Sequence, residues 1–216
     1  MINFQKAAMI GTGFVGSSSA FTLMQSGLFS EMILIDANGQ RAEGEAMDIA
    51  HGLPFAHPMT IRAGTYDDIT DAALIIITAG AGQKPGETRL DLVHKNVAIF
   101  KSIVPEIAKR NKEAVLLVVS NPVDILTYVT LKLSGYPENR VLGSGTVLDT
   151  ARLKYLLGEH LQVDSRSVHA VIIGEHGDSE LAVWSGASIS GVPLDHFCEL
   201  RGHFDHEASD NRLYHE

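Results

Sequence analysis

His176 lies in the run Gly174-Glu175-His176-Gly177-Asp178-Ser179-Glu180, directly after the apolar segment 168–173. The β-branched character of that segment predicts a strand, and the two glycines bracket a turn that carries the histidine out of it. An unperturbed imidazole titrates near about pH 6.5, so a histidine held at a strand end suits giving and taking a proton at neutral pH. The same position also suits a hydrogen-bonded structural histidine, or a metal ligand together with Glu175 or Asp178. Upstream, Asp149 and Arg152 stand three residues apart at the start of a predicted helix reaching 161, so they share a face. A surface ion pair has the same spacing. Arg89 closes the stretch 80–89, which holds three glycines and a proline. That stretch follows an apolar run, 73–79, and precedes a predicted helix over 90–110, so it reads as a mobile loop at the carboxyl edge of a sheet. Such loops close over substrates and deliver a charge, here Arg89, although an arginine in a first helical turn can also simply face water. Asn121 follows the strand 114–119 and precedes Pro122, which holds it extended with an amide able to donate and accept. It fits a residue that orients a substrate oxygen and equally fits a turn residue.

These groups need a scaffold, and the N-terminal third supplies its signature. A short apolar strand, 6–10, runs into Gly11-Thr12-Gly13-Phe14-Val15-Gly16, and a helix is predicted over 17–27. In this spacing Gly11 serves the tight turn, Gly13 the approach of a pyrophosphate to the backbone, and Gly16 the packing of helix on strand. The helix N-terminus then offers unpaired N–H groups to phosphate. A second strand, 31–35, ends in Asp36, twenty residues after Gly16, where a carboxylate accepts from the adenosine ribose hydroxyls. A carboxylate there repels a 2′-phosphate, which favours NAD over NADP. Helix capping is the alternative role for Asp36.

The order of predicted elements up to about 142 is that of a doubly wound parallel (Rossmann) α/β sheet, and a different texture begins near Asp149. The reading is therefore an NAD-binding Rossmann domain over 1–143, followed over 144–216 by the N-terminal part of an α+β substrate domain. With 216 residues, 45% hydrophobic and 20% charged, the composition is that of an ordinary soluble protein. A net charge of −9, without a basic block, argues against nucleic acid and against an anionic membrane, and points to a small-molecule partner. No stretch has the apolar length of a membrane span, and residues 1–6 lack the layout of a signal peptide, so a cytoplasmic location is expected. The single cysteine, Cys198, reads as a packing residue. No metal is expected.

With these residues in place the chain resembles the NAD-dependent 2-hydroxyacid dehydrogenases of the lactate/malate group, and within it the bacterial L-lactate dehydrogenases. The resemblance rests on segments 11–16, 79–93, 120–124, 144–152 and 174–180, in the family's order and spacing. It implies His176 as proton donor and acceptor between lactate and pyruvate, Asp149 as its carboxylate partner, and Arg152 as a bidentate grip on the substrate carboxylate. It implies Arg89 polarising the reacting carbonyl and Asn121 holding the substrate oxygen. Around NAD it places Val15, Asp36, Tyr66, Gly80, Ala81 and Asn121. Gln83 stands where malate dehydrogenases carry an arginine for a second carboxylate, so lactate is preferred over malate, and malate or another 2-hydroxyacid is the alternative substrate.

The resemblance further implies a homo-oligomer, a tetramer in the family, and activation by fructose 1,6-bisphosphate. His169 matches the family's activator-binding histidine, whereas Lys154 replaces its arginine and keeps the charge without the fork. Family members continue well beyond the length of this chain, and 210–216 match them less well. A second hypothesis is therefore a truncated NAD-binding remnant without turnover. A third, a short-chain dehydrogenase, can cite only Tyr128 and Lys132 in a Tyr-x-x-x-Lys pattern, on what reads as an amphipathic helix.

Overall fold

The first strand, β1 (Asn3–Ile10), ends in five consecutive buried residues. A strand with no exposed face belongs in the middle of a parallel sheet covered by helices on both sides. The computed structural model, which describes residues 1–202, places it there. The chain divides into two compact units, Met1–Gly143 and Ser144–Glu216.

In the first unit β2 (Glu31–Ile35), β3 (Thr60–Ala63), β4 (Ala72–Ile77), β5 (Val115–Val118) and β6 (Val141–Gly143) join β1 in one sheet of order β3-β2-β1-β4-β5-β6. Every neighbouring pair is parallel. The order reverses between β1 and β4, which opens a crevice beyond the carboxyl ends of those two strands. The helices α1 (Phe14–Ser26), α2 (Gly39–Ala50), α3 (Arg89–Arg110) and α4 (Val123–Ser134) supply the two outer layers.

Side chains alternate along the strands and sort these helices into layers. Met9, Met32, Leu34 and Ile76 pack with Ala20 and Met24 of α1 and with Ala46 and Ile49 of α2. Their strand neighbours Ala8, Ile10, Ile33, Ile75 and Ile77 pack with Phe100, Val104 and Ile107 of α3 and Leu126 of α4. Each such buried side chain larger than alanine contributes roughly 1.5–3 kcal/mol relative to exposure. The one cation in the buried stretch of β1, Lys6, is paired with Asp71 at 2.8 Å and Glu31 at 3.4 Å.

The second unit opens with α5 (Val147–Leu161). It continues through β7 (Val168–His169), β8 (Ile172–Ile173), β9 (Leu181–Ala182), β10 (Ser188–Ile189), β11 (Val192–Pro193) and α6 (Leu194–Leu200). Leu153, Leu157 and Leu161 of α5 pack with Val168, Ile172, Ile189 and the buried Cys198. The single strand expected over 168–173 is two strands. β7 pairs antiparallel with β10, whereas β8 pairs with β9, so the chain changes sheets across Ala170 and Val171. Apolar periodicity cannot show such a switch, because both halves remain apolar. The less well matched segment 210–216 lies outside the described residues.

Candidate active site

In the first unit the glycine turn has the geometry its spacing implies. A Cβ on Gly11, whose φ is +100°, would lie 2.6 Å from the Ala79 nitrogen, and one on Gly16 would lie 2.0 Å from the Gly11 carbonyl oxygen. These two glycines are demanded by the fold itself. A Cβ on Gly13 would meet nothing within 4 Å, so the protein's own packing gives no reason for its bareness. Space for a ligand gives one, and α1 begins there with no side chain capping its N–H groups.

A cleft of about 580 Å³ opens at this turn, lined by Gly11, Gly13, Asp36, Tyr66 and Gly80 of the expected cofactor set. Gly16 lies beneath the turn, and Val15 is exposed on the first turn of α1. Ala81 and Asn121 are not part of the cleft lining. Arg41, Ser102 and Ile103 do line it, and sequence reasoning missed all three. They sit on α2 and α3, and no local motif marks them in the sequence. The donors and dimensions of this cleft suit a dinucleotide.

Asp36 is not the cap of α2; that role falls to Asn38, whose side chain accepts from the Arg41 N–H at 3.2 Å. Asp36 instead ties its strand to the glycine turn, accepting from the Thr12 N–H at 2.7 Å, the Thr12 hydroxyl at 3.1 Å and the Asn38 N–H at 2.9 Å. Burial pushes its carboxyl up, but these hydrogen bonds and the charge of Arg41 outweigh that and hold it below the ordinary value. The group is a carboxylate at neutral pH. Burial raises the Tyr66 phenol, with Glu106 adding to the rise and Arg110 opposing it.

The stretch after β4 is a loop, as its glycines imply. Its far end is fixed by Thr88, which caps α3 in a capping box with Asp91. Arg89 is the first residue of α3 and is exposed. Gln83, also exposed, donates through Nε2 to the Glu87 carbonyl at 2.8 Å. Asn121 precedes a cis peptide bond to Pro122, and its carbonyl accepts from Asn96 Nδ2 at 2.7 Å.

In the second unit the helix and the histidine loop are stitched together by threonines. Thr146 donates to the Ile172 carbonyl at 2.6 Å, and the Ile172 N–H donates to the Thr150 hydroxyl at 2.9 Å. Asp149 sits between these two threonines in sequence, which brings its buried carboxylate to the loop after β8. There its Oδ2 meets His176 Nδ1 at 2.5 Å. Because a carboxylate can only accept, the contact places the imidazole proton on Nδ1. Arg152 reaches the other carboxylate oxygen at 3.3 Å, so Asp149 and Arg152 do form an ion pair, but one whose acid is buried and shared with a histidine.

Glu180, absent from the expected set, completes this cluster. Burial raises its carboxyl, and Asp149 raises it further by charge and by a hydrogen bond, against the opposing charges of His176 and Arg152. Donor atoms of Asp149, His176 and Glu180 lie within 4.8 Å of one another, a spacing open to a cation, yet both oxygens of Asp149 are already engaged by His176 and Arg152. Glu175, weighed above as a ligand partner, accepts from the Ser179 hydroxyl at 2.7 Å.

Lys154 is half-buried on α5, and His169 is exposed on β7, where it pairs with Ser188. Tyr128 and Lys132 lie on α4 with the ammonium 5.2 Å from the ring centroid, a surface cation–π pair. Among the described residues no helix is long and apolar enough to cross a membrane.

A doubly wound sheet with a glycine turn and an acidic strand end at its switch point is the architecture of the dinucleotide-binding domains. Residues 5–143 match the lactate/malate dehydrogenase NAD binding domain, and residues 146–215 match the alpha/beta C-terminal domain of the same proteins. The chain belongs to the lactate/malate dehydrogenase family. It is 57% identical over 210 residues to an L-lactate dehydrogenase of Acetivibrio thermocellus, covering 97% of this chain and 66% of that one. It is 60% identical over 193 residues to one of Priestia megaterium, covering 89% and 61%. A crystal structure of the minor L-lactate dehydrogenase of Enterococcus mundtii in a ligand-bound form superposes with a TM-score of 0.92 at 44% identity, over 97% of this chain and 67% of that one. The chain thus spans between three fifths and two thirds of the length of the curated relatives it matches.

Proposed function

We propose that the protein interconverts L-lactate and pyruvate with NAD, using His176 as proton donor and acceptor. The observation that carries this reading is the 2.5 Å contact between the buried Asp149 carboxylate and His176 Nδ1. With Nδ1 committed to Asp149, Nε2 is the nitrogen that takes the hydroxyl proton of lactate and returns it to the oxygen of pyruvate. Asp149 stabilises the imidazolium formed when that proton arrives. Gly11, Gly13, Val15, Gly16, Asp36, Tyr66, Gly80, Ala81 and Asn121 would hold NAD, which would supply hydride chemistry at C2 of the substrate.

Arg152 binds the substrate carboxylate through its planar fork, Arg89 polarises the carbonyl, and Asn121 holds the reacting oxygen. Gln83 leaves the methyl end of pyruvate without a charged partner, which selects against the second carboxylate of oxaloacetate. The reaction belongs to lactate fermentation at the end of glycolysis, in the cytoplasm. The 57–60% identity to L-lactate dehydrogenases supports assembly into a homo-oligomer, a tetramer in the family. Lys154 and His169 are the residues that meet a fructose 1,6-bisphosphate activator, with lysine giving weaker activation than an arginine fork.

The test is oxidation of NADH with pyruvate, with oxaloacetate as control, on the protein and on His176→Asn. Turnover that prefers pyruvate and falls at least about 100-fold in His176→Asn supports the reading. Equal rates in the two proteins, or preference for oxaloacetate, overturn it.

A further inference from the structure

Asn96 stands on α3 seven residues after Arg89, and only 1% of it is exposed. An amide buried to that extent needs its donors and its acceptor satisfied. Both needs are met outside the helix. Oδ1 accepts from the Ala81 N–H at 2.7 Å, while Nδ2 donates to the Ala81 carbonyl at 3.2 Å and to the Asn121 carbonyl at 2.7 Å. The paired bonds to Ala81 copy the exchange between two facing residues of neighbouring antiparallel strands. Aspartate cannot reproduce them, because a carboxylate has no donor.

The consequence concerns the whole loop 80–88. Its far end is already fastened to α3 by the Thr88–Asp91 capping box and by the ion pair of Lys95 with Glu87. Asn96 fastens its near end to the same helix. One residue of that helix therefore also fixes the backbone of Asn121, which arrives from β5.

We infer that Asn96 is a positioning residue: it holds the root of the loop carrying Gln83, and the backbone of Asn121, in one fixed relation to the helix that begins at Arg89. The inference rests on the substrate roles proposed above for those three residues. Asn96 touches neither substrate nor cofactor in this account and acts through the groups it ties.

A second buried asparagine supplies the control. Asn111, 3% exposed at the C-terminal end of α3, donates to the carbonyls of Ile69 and Ala72 and accepts from the N–H groups of Glu113 and Ala114. It satisfies backbone just as Asn96 does, but away from the loop. The experiment compares Asn96→Ala, Asn96→Asp and Asn111→Ala with the unchanged protein. Asn96→Asp retains the acceptor for Ala81 and so stands in if the alanine variant does not fold.

Two readouts are taken well below each melting temperature: amide hydrogen exchange of the segment 80–88, and kcat/KM for pyruvate per NADH-binding site. The Asn96 variants are expected to exchange about tenfold faster in that segment and to lose roughly 10- to 100-fold in kcat/KM, as small misplacements of substrate-orienting groups do. Asn111→Ala is expected to lower the melting temperature while changing both readouts less than about threefold. Unchanged loop exchange and kcat/KM in the Asn96 variants, or the same changes in Asn111→Ala, overturn the inference. If the unchanged protein fails to turn over pyruvate while the exchange contrast holds, the proposed reaction falls and the anchoring role of Asn96 stands.

Discussion

Replacing Asp149 by asparagine removes one charge and almost no volume. The carboxylate is 8% exposed, its histidine partner 22% exposed, and the two atoms in contact are 2.5 Å apart. At an effective dielectric constant near 20, unit charges even about 4 Å apart interact by roughly 4 kcal/mol. That interaction exists only when His176 is protonated, the state that the proposed reaction creates with lactate and consumes with pyruvate. Asparagine retains one oxygen able to accept from Nδ1, so part of the stabilisation survives, leaving a loss of about 3 kcal/mol. At about 1.4 kcal/mol for each factor of ten, kcat/KM for pyruvate at neutral pH should fall by roughly 100-fold. The assay follows NADH absorbance under saturating NADH, with melting temperature and NADH affinity measured on the same preparations. NADH affinity should stay within about threefold, since Asp149 is assigned no role toward the cofactor. A fall in kcat/KM of less than about tenfold, with the fold intact, would refute the assignment of Asp149 as the group that stabilises the protonated histidine.

Further predictions separate the cofactor turn, the specificity loop and the acidic strand end. Gly16→Ala should cost about 2–3 kcal/mol and lower the melting temperature by roughly 5–10 °C, because its Cβ would lie 2.0 Å from the Gly11 carbonyl oxygen. Gly13→Ala, whose Cβ meets nothing within 4 Å, should leave melting nearly unchanged yet weaken NADH binding by about tenfold or more, as read by fluorescence titration. Gln83→Arg should move the kcat/KM ratio of oxaloacetate to pyruvate upward by about 100-fold. Asp36 has a folded-state pKa below its ordinary 3.8, so its contribution to stability is complete above that value and fades as pH falls through the lowered one. The stability difference between the protein and Asp36→Asn should therefore be flat from about pH 5 to 8 and shrink below about pH 4 in urea unfolding.

Short-range signals carried much of this structure. Glycines at three set positions, an acid at the end of the next strand, and apolar runs without alternation describe the parallel sheet and its switch point, because each is a local steric or solvation demand. The pairing of Asp149 with His176 was implied only by family resemblance. The two residues are 27 positions apart, and the threonine bonds that bring them together have no periodic signature. Asp36 could have been a helix cap by residue type. Asn38, two residues on, takes that role, which leaves Asp36 on the glycine turn. Asn96 reads as one polar residue inside an amphipathic helix, and its importance lies in partners 15 and 25 residues away. Glu180 was invisible for a similar reason, since its raised carboxyl arises from burial and from Asp149 rather than from its neighbours in sequence.

In the proposed reaction, hydride passes between NAD and the C2 carbon of a lactate/pyruvate pair while His176 moves the proton. This transfer is tested most directly by incubating the protein with pyruvate and NADH doubly deuterated at C4, and analysing the product by mass spectrometry. The expected product is L-lactate carrying one deuterium at C2, formed at least about 100-fold more slowly by His176→Asn. Lactate without deuterium, or NADH bound through many turnover times with pyruvate unchanged, would contradict it.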